Sequence, residues 1–375
     1  MTPTTLVRAE LAQAHAQLDT VIGAACVRLD QTASACGDAF PLYAAAPAHT
    51  WTTSAGGSWS GGFWAASWWR RARLTGSRAC RDRAAALTAR LADKLAADSI
   101  NRCMVFWYGA ALGAQGFGTS REHALARQAA RTVAASFDPV LGCVPLGKDM
   151  GGGPRGAAGT SVDSLAALIG LLTFDDAPPV CVALARAHAD TLVEVCATPD
   201  GAWHAHAEYG PCGWSARGEP GVWSRGQAWA MLGLAAAAGR WGGDYVVAAA
   251  SACRYWLNTR SDSRPPNRLD QPDGPADASA ALIAAHAMLA LARATAAPSS
   301  WQDEAARLIG GLLAGPDYVA LDGGAAAFRG ACYPVAPDRL ALVETPWSSF
   351  LLLDAVCELA ASLPVPAAIP RNHHS

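Results

Sequence analysis

The chain has 375 residues, half of them apolar, and a formal net charge of −2, so a substantial core is available. No Lys/Arg run is present, which argues against nucleic acid or an anionic membrane surface as a partner and leaves small molecules. Apolar runs such as 228–238 fall short of the roughly 20 residues that cross a bilayer, so no membrane partner is expected.

The opening "MTPTTLVRAELAQAHAQLD" is polar and helix-like, lacks the basic-then-apolar order of a secretory signal, and predicts a cytoplasmic protein. A helical segment is expected over about 1–45, one domain over 1–375, and a flexible tail over about 364–375. The eleven cysteines are scattered, without C-x-x-C, and read as buried free thiols.

Alanine and leucine dominate between the Gly/Pro stretches, and β-branched runs are few, which predicts an all-α fold. A cassette recurs: an apolar helix, a short turn, then a helix with charges on one face. Its turns fall in the segments starting at Leu74, Phe117, Phe174, Trp241 and Ala297. The spacing, roughly 40–65 residues, is that of helical hairpins, with an inner and an outer layer. Periodicity leaves an open solenoid and a closed toroid as alternatives. Long Gly/Pro/Trp-rich loops at 47–62, 144–162, 199–222 and 261–277 precede the inner helices, and gathered at one end they would build a pocket.

Of fourteen tryptophans, Trp51, Trp59, Trp64, Trp203, Trp214 and Trp223 sit in or beside these loops. Flat indole faces with a free N–H suit sugar rings, although packing of the loops is the competing explanation. "GTSVDSLAALIGLL" puts Asp163 at the start of an apolar helix, as a cap or as a catalytic acid/base. "GAWHAHAEYG" offers His204 and His206, better suited to holding a substrate than a metal without a third ligand. In "WSRGQAW", Arg225 and Trp229 are four apart and share a helix face. The guanidinium suits a carboxylate carried on a ring that the indole supports, or else a salt bridge to a core aspartate. Asp277 starts a further helix, as a cap or as a ligand-binding group.

"WSGGFWAASWW", "SVDSLAALIGLL", "GAWHAHAEYG", "WSRGQAWAMLGLA" and "DASAALIAAHAMLALA" follow one another in an order that resembles the unsaturated glucuronyl hydrolases, glycoside hydrolase family 88, and the related rhamnogalacturonyl hydrolases. The likeness runs from about residue 50 to 355. It implies an (α/α)6 barrel, needing neither metal nor cofactor. It also implies removal of a 4,5-unsaturated uronate by hydration of its enol-ether double bond: an aspartate protonates C4 and helps water add at C5. That aspartate corresponds to Asp163, with Trp59, His204, Trp223, Arg225 and Trp229 lining the sugar site; Trp214 and Asp277 are added as candidates. The partner is then an acidic or unsaturated sugar, free or attached to a small metabolite, bound by a monomer or homodimer.

The chain departs from the family at one position. Where the family carries His–Asp before an inner helix, this sequence reads Asn101–Arg102, so a second carboxylate is missing. An arginine pointing at Asp163 would keep it ionised and hinder protonation of an enol ether. Asp149 or Asp277 is a possible replacement. The alternatives are a changed substrate, or a barrel that binds an acidic sugar without this chemistry or performs a lyase or epimerase reaction. A late segment, "WSSF" at Trp347–Phe350, also departs.

Overall fold

The computed structural model describes residues 3–260, 262–295 and 299–363. The 364–375 tail expected from sequence lies outside them. Helices α1 (Pro3–Cys36), α2 (Gly61–Thr75), α3 (Arg78–Arg90), α4 (102–117, with a π-helical turn at Trp107–Ala111), α5 (Ser120–Ala134) and α6 (Leu165–Leu172) form the first half. The second half holds α7 (Pro179–Cys196), α8 (Ser224–Trp241), α9 (Asp244–Thr259), α10 (Ala278–Ala294), α11 (Ser299–Ala314) and α12 (Pro346–Ser362).

The even-numbered helices touch in series, α2 to α4, α6, α8, α10 and α12, and α12 returns to α2. Each odd-numbered helix from α3 onward packs on the one before it, and α1 packs on α12. The N-terminal helix therefore completes the last pair. The expected segment over 1–45 is divided: the helix ends at Cys36, and residues 40–45 form a strand.

Of the inner helices, α6 and α10 are built almost wholly from small and aliphatic residues, whereas α2 and α4 also bring aromatic rings. Along α10, "ASAALIAAHAMLALARA", nearly every residue is buried, so it shows no polar face. Small residues also set the spacing: a Cβ on Gly62 of α2 would stand 2.4 Å from the Val105 carbonyl oxygen of α4. The outer helices are two-faced. In α9 the buried side chains are Tyr245, Ala249, Ala252, Cys253 and Trp256, spaced by three and four, with polar residues opposite. Trp256 is fully enclosed, and its truncation to alanine would cost about 3–5 kcal/mol. Gly76 and Gly118, both at positive φ, end α2 and α4 and turn the chain outward.

The all-α expectation fails in the loops. Strands β1 (Phe40–Ala45), β2 (Trp51–Ser54), β3 (Gly159–Ser161), β4 (His206–Gly210), β5 (Gly213–Arg217), β6 (Tyr318–Ala320), β7 (Ala326–Phe328), β8 (Ala331–Ala336) and β9 (Arg339–Glu344) make three small antiparallel sheets. Their orders are β2-β1-β9-β8, β3-β4-β5 and β6-β7. The sheets brace the long connections: Ser161 pairs with His206 and His206 with Arg217, while Ala44 pairs with Glu344. Nine cysteines are buried, Cys26 is half-buried and Cys212 exposed, and all eleven are free thiols.

Candidate active site

A cavity of about 240 Å³ opens where the inner helices begin. Trp59 precedes α2, Asn101 precedes α4, Ser161 and Asp163 precede α6, Trp223 and Arg225 flank the start of α8, and Trp347 lies in the first turn of α12. The repeat explains this convergence, because every inner helix enters the ring from the same end. The positive ends of their dipoles therefore gather at this mouth, which favours a negatively charged occupant.

Asp163 sits in a short turn between β3 and α6, where its backbone N–H donates to Ser161 Oγ at 3.3 Å. Its Oδ1 is buried and has no hydrogen-bond partner among the described residues. Burial pushes the carboxyl above its ordinary value, against the pull of His206, Arg225 and Ser161. A carboxyl so placed favours the protonated form and offers an unspent oxygen to whatever enters the cavity.

Arg225 lies 13 % exposed beside it. Its Nη1 donates to Asp277 Oδ2 at 2.6 Å and to the Cys332 carbonyl at 2.8 Å. The guanidinium carbon stands 5.4 Å from the Trp223 ring centre and 5.6 Å from that of Trp347, so two indoles clasp it. Nε and Nη2 have no partner among the described residues, which leaves an edge that suits a carboxylate. Arg225 thus bridges to a core aspartate and also lines the cavity.

Several expectations need correction. Arg102 does not line the cavity. It donates to the carbonyls of Ser99 at 3.0 Å and Leu95 at 2.8 Å and to Ser136 Oγ at 2.7 Å, and so stitches the chain before α4 to the end of α5. Its neighbour Asn101 does line the cavity, accepting from Ser164 Oγ at 2.5 Å and donating to the Met150 carbonyl at 3.0 Å. Asp277 is wholly buried behind Arg225, bonded also by Ser279 Oγ and the Cys332 N–H, and offers no surface to a ligand. Asp149 is no replacement carboxylate either: it accepts from the Asp98 N–H at 2.8 Å, outside the cavity lining.

Of the two loop histidines the cavity takes His206, stacked at 6.0 Å and 16° on Trp223, whereas His204 bonds the Gly218 carbonyl at 2.8 Å. Pairing of β4 with β3 brings His206 directly opposite Ser161, two residues before Asp163. Trp214 packs edge-on against Tyr209 and donates to the Leu141 carbonyl at 3.2 Å, so it fastens a loop rather than lining the site. Trp59, Trp223 and Trp229 line the cavity. Sequence reasoning missed Tyr333 and Trp347, which reach the site from β8 and α12. Trp347 bridges Trp59 and Trp229 with ring centres 6.2 and 6.3 Å away, and its buried indole N–H has no partner among the described residues. The signal was available in "WSSF", where an indole at a helix start repeats the pattern of Trp59.

The arrangement is therefore a ring of paired helices whose mouth carries, among the described residues, a single lining carboxyl, a half-engaged arginine and a wall of indoles. No family model matches the chain, and no curated protein matches it. Solved structures do: an unsaturated glucuronyl hydrolase from Bacillus sp. GL1, responsible for the degradation of glycosaminoglycan, has a TM-score of 0.80 at 22% identity, covering 92% of this chain and 97% of that one. A UGL variant with dGlcA-Glc-Rha-Glc gives 0.81 at 22% identity with the same coverage, and an unsaturated glucuronyl hydrolase specific for heparin gives 0.79 at 18%, again covering 92% and 97%. The chain has the fold of the unsaturated glucuronyl hydrolases.

Proposed function

We propose that the protein is a glycosidase of the hydrating kind, built as an (α/α)6 barrel, that removes a 4,5-unsaturated uronate from the end of a saccharide. The closed series of inner helices, each with an outer partner, supports the barrel. The observation that carries the function is the buried Oδ1 of Asp163, without a hydrogen-bond partner among the described residues, beside the edge of Arg225 that is likewise unspent among them. Arg225 receives the uronate carboxylate, and the indoles of Trp59, Trp223 and Trp347 enclose the ring.

With the ring so held, the Asp163 carboxyl gives its proton to C4 of the enol ether while a water oxygen bonds to C5. The water's proton returns to the Asp163 carboxylate, so the acid is restored. The resulting C5 hemiketal opens as its hydroxyl proton passes to the ring oxygen and the C5–O5 bond breaks, giving a C5 ketone and a hemiacetal at C1. That hemiacetal collapses to a C1 aldehyde, and the aglycone oxygen leaves with the hemiacetal proton. Direct displacement at an anomeric carbon ordinarily calls for a pair of carboxyl groups on opposite sides of the bond. Asp163 is the single carboxyl residue lining the cavity among the described residues, which favours addition to the double bond, where one group serves as acid and then as base.

The test is incubation with an unsaturated uronate disaccharide while following the enol-ether absorbance. Loss of the band with wild type and its persistence with Asp163→Asn is the expected outcome. Release of sugar with the double bond intact would reject the hydration chemistry.

A further inference from the structure

A second cavity, of about 390 Å³, adjoins the first, and His206 and Trp223 line both. Its far side is made by Trp203, Asn267 and the side chains of Arg217, Glu219 and Arg268. Nothing in the chemistry of the first cavity uses these groups.

The floor is suited to a hydroxylated ring. Trp223 Nε1 donates to Asn267 Oδ1 at 3.2 Å, which fixes the amide so that its Nδ2 is the free end. Neither Asn267 Nδ2 nor Trp203 Nε1 has a partner among the described residues. Two unspent donors beside indole surface form a seat for a sugar.

The rim excludes charge. Arg217 is held by Glu208 through Nε at 3.1 Å and Nη2 at 2.6 Å, and Arg268 by Asp270 at 2.9 and 2.7 Å. Arg155 adds a looser contact to Glu208 at 3.8 Å. Arg217 and Arg268, the two guanidiniums that line the cavity, have therefore each spent the two-pronged edge on a carboxylate, and Glu219 stands exposed with no partner among the described residues. A sulfate against this lining would meet the unpaired carboxylate of Glu219 and two guanidiniums whose two-pronged edges are already taken. In the first cavity the situation is reversed, with Arg225 half free.

We propose that this cavity seats the second unit of the substrate and selects an uncharged sugar there, so the preferred substrate carries its single negative charge on the unsaturated uronate. The assignment rests on the hydrating-glycosidase reading and adds the substrate class to it. Two of the similar structures are named for glycosaminoglycan and for heparin; among the described residues lining this cavity, neither arginine is left without a carboxylate to meet a sulfated second sugar.

Two disaccharides, dGlcA-GalNAc and its 6-sulfate, differ only at the second sugar and test this. Both are measured for binding by calorimetry and for loss of the enol-ether band. The unsulfated disaccharide is expected to bind and react better by about two- to fivefold, the scale of an exposed charge contact. Glu219→Lys is expected to narrow or reverse that ratio, and raised salt to narrow it in wild type. Equal or better handling of the sulfated sugar by wild type overturns the assignment, as does a ratio that Glu219→Lys does not move. Should neither sugar lose its double bond while the binding ratio stands, the hydration reading fails and the seat survives. Absence of binding by both rejects the two together.

Discussion

Asp277 grips Arg225 from behind through a single nitrogen, Nη1 at 2.6 Å, and this contact aims the remaining guanidinium edge at the cavity. The carboxylate touches no ligand surface, so its work is positional. Replacing it by asparagine keeps the shape and removes the charge, leaving a nearly buried guanidinium uncompensated. A loss of about 3 kcal/mol is expected in denaturant unfolding. In the enzyme that remains folded, KM for an unsaturated uronate rises more than kcat falls, because the carboxylate grip is what slackens. A variant with unchanged KM would remove Arg225 from the binding role.

Asp163 separates catalysis from stability in the opposite direction. Its Oδ1 bonds nothing among the described residues, so Asp163→Asn breaks no strong contact, and kcat should fall by about 10²–10⁴, the usual worth of a positioned acid/base. Burial raises the native carboxyl above its unfolded value of 3.8, so the native state holds its proton more tightly than the unfolded chain. The ionised form therefore costs stability that begins to appear above about pH 3.8 and is complete once the pH exceeds the native value. Melting curves of wild type and Asp163→Asn should coincide in acid and diverge upward in pH, with the asparagine variant the more stable. Wild-type activity falls in the same direction, as the pH rises through the native value, because the proton donor is lost.

Much of this arrangement could be read from the chain, and the parts that could not share a cause. The turns after Leu74, Phe117, Phe174 and Trp241 are local signals, with glycine or a polar cluster between two helical patterns, and they fall where the hairpins turn. Arg225 and Trp229 are likewise local, four apart on one helix. His206 was passed over for His204 because the choice depends on β4 pairing with β3, a contact across 45 residues that no periodicity reports. The short strands were missed for the same reason: each is three to six residues long and stabilised by its partner rather than by its own pattern. Arg102 is the clearest case, since its residue type suggested a charge beside Asp163, and only the turn before α4 decides that Asn101 faces inward instead.

Arg102 should accordingly behave as a structural residue. It supports two backbone carbonyls and one hydroxyl, so Arg102→Met leaves acceptors unsatisfied and costs about 2–4 kcal/mol in unfolding experiments. The pH dependence of kcat/KM in the folded fraction should match wild type. An arginine acting on Asp163 would behave otherwise, and its removal would move the activity limit upward in pH.

Asn101→Asp supplies the complementary test, because it places a second carboxyl in the cavity without enlarging the side chain. Ser164 Oγ can still donate to it, at the 2.5 Å contact that Asn101 Oδ1 now receives. The donation from Nδ2 to the Met150 carbonyl is lost unless the new carboxyl keeps a proton. Two carboxyls sharing one cavity resist ionising together, so the pair holds one proton to higher pH than Asp163 alone. The falling limb of the kcat/KM profile should therefore move to higher pH in Asn101→Asp. Meanwhile Asn101→Ala, which adds no charge, leaves that limb in place and lowers activity through a less rigid Met150 loop. If both variants moved the limb equally, the shift would come from loosening of the loop, and Asn101 would have no electrostatic link to Asp163.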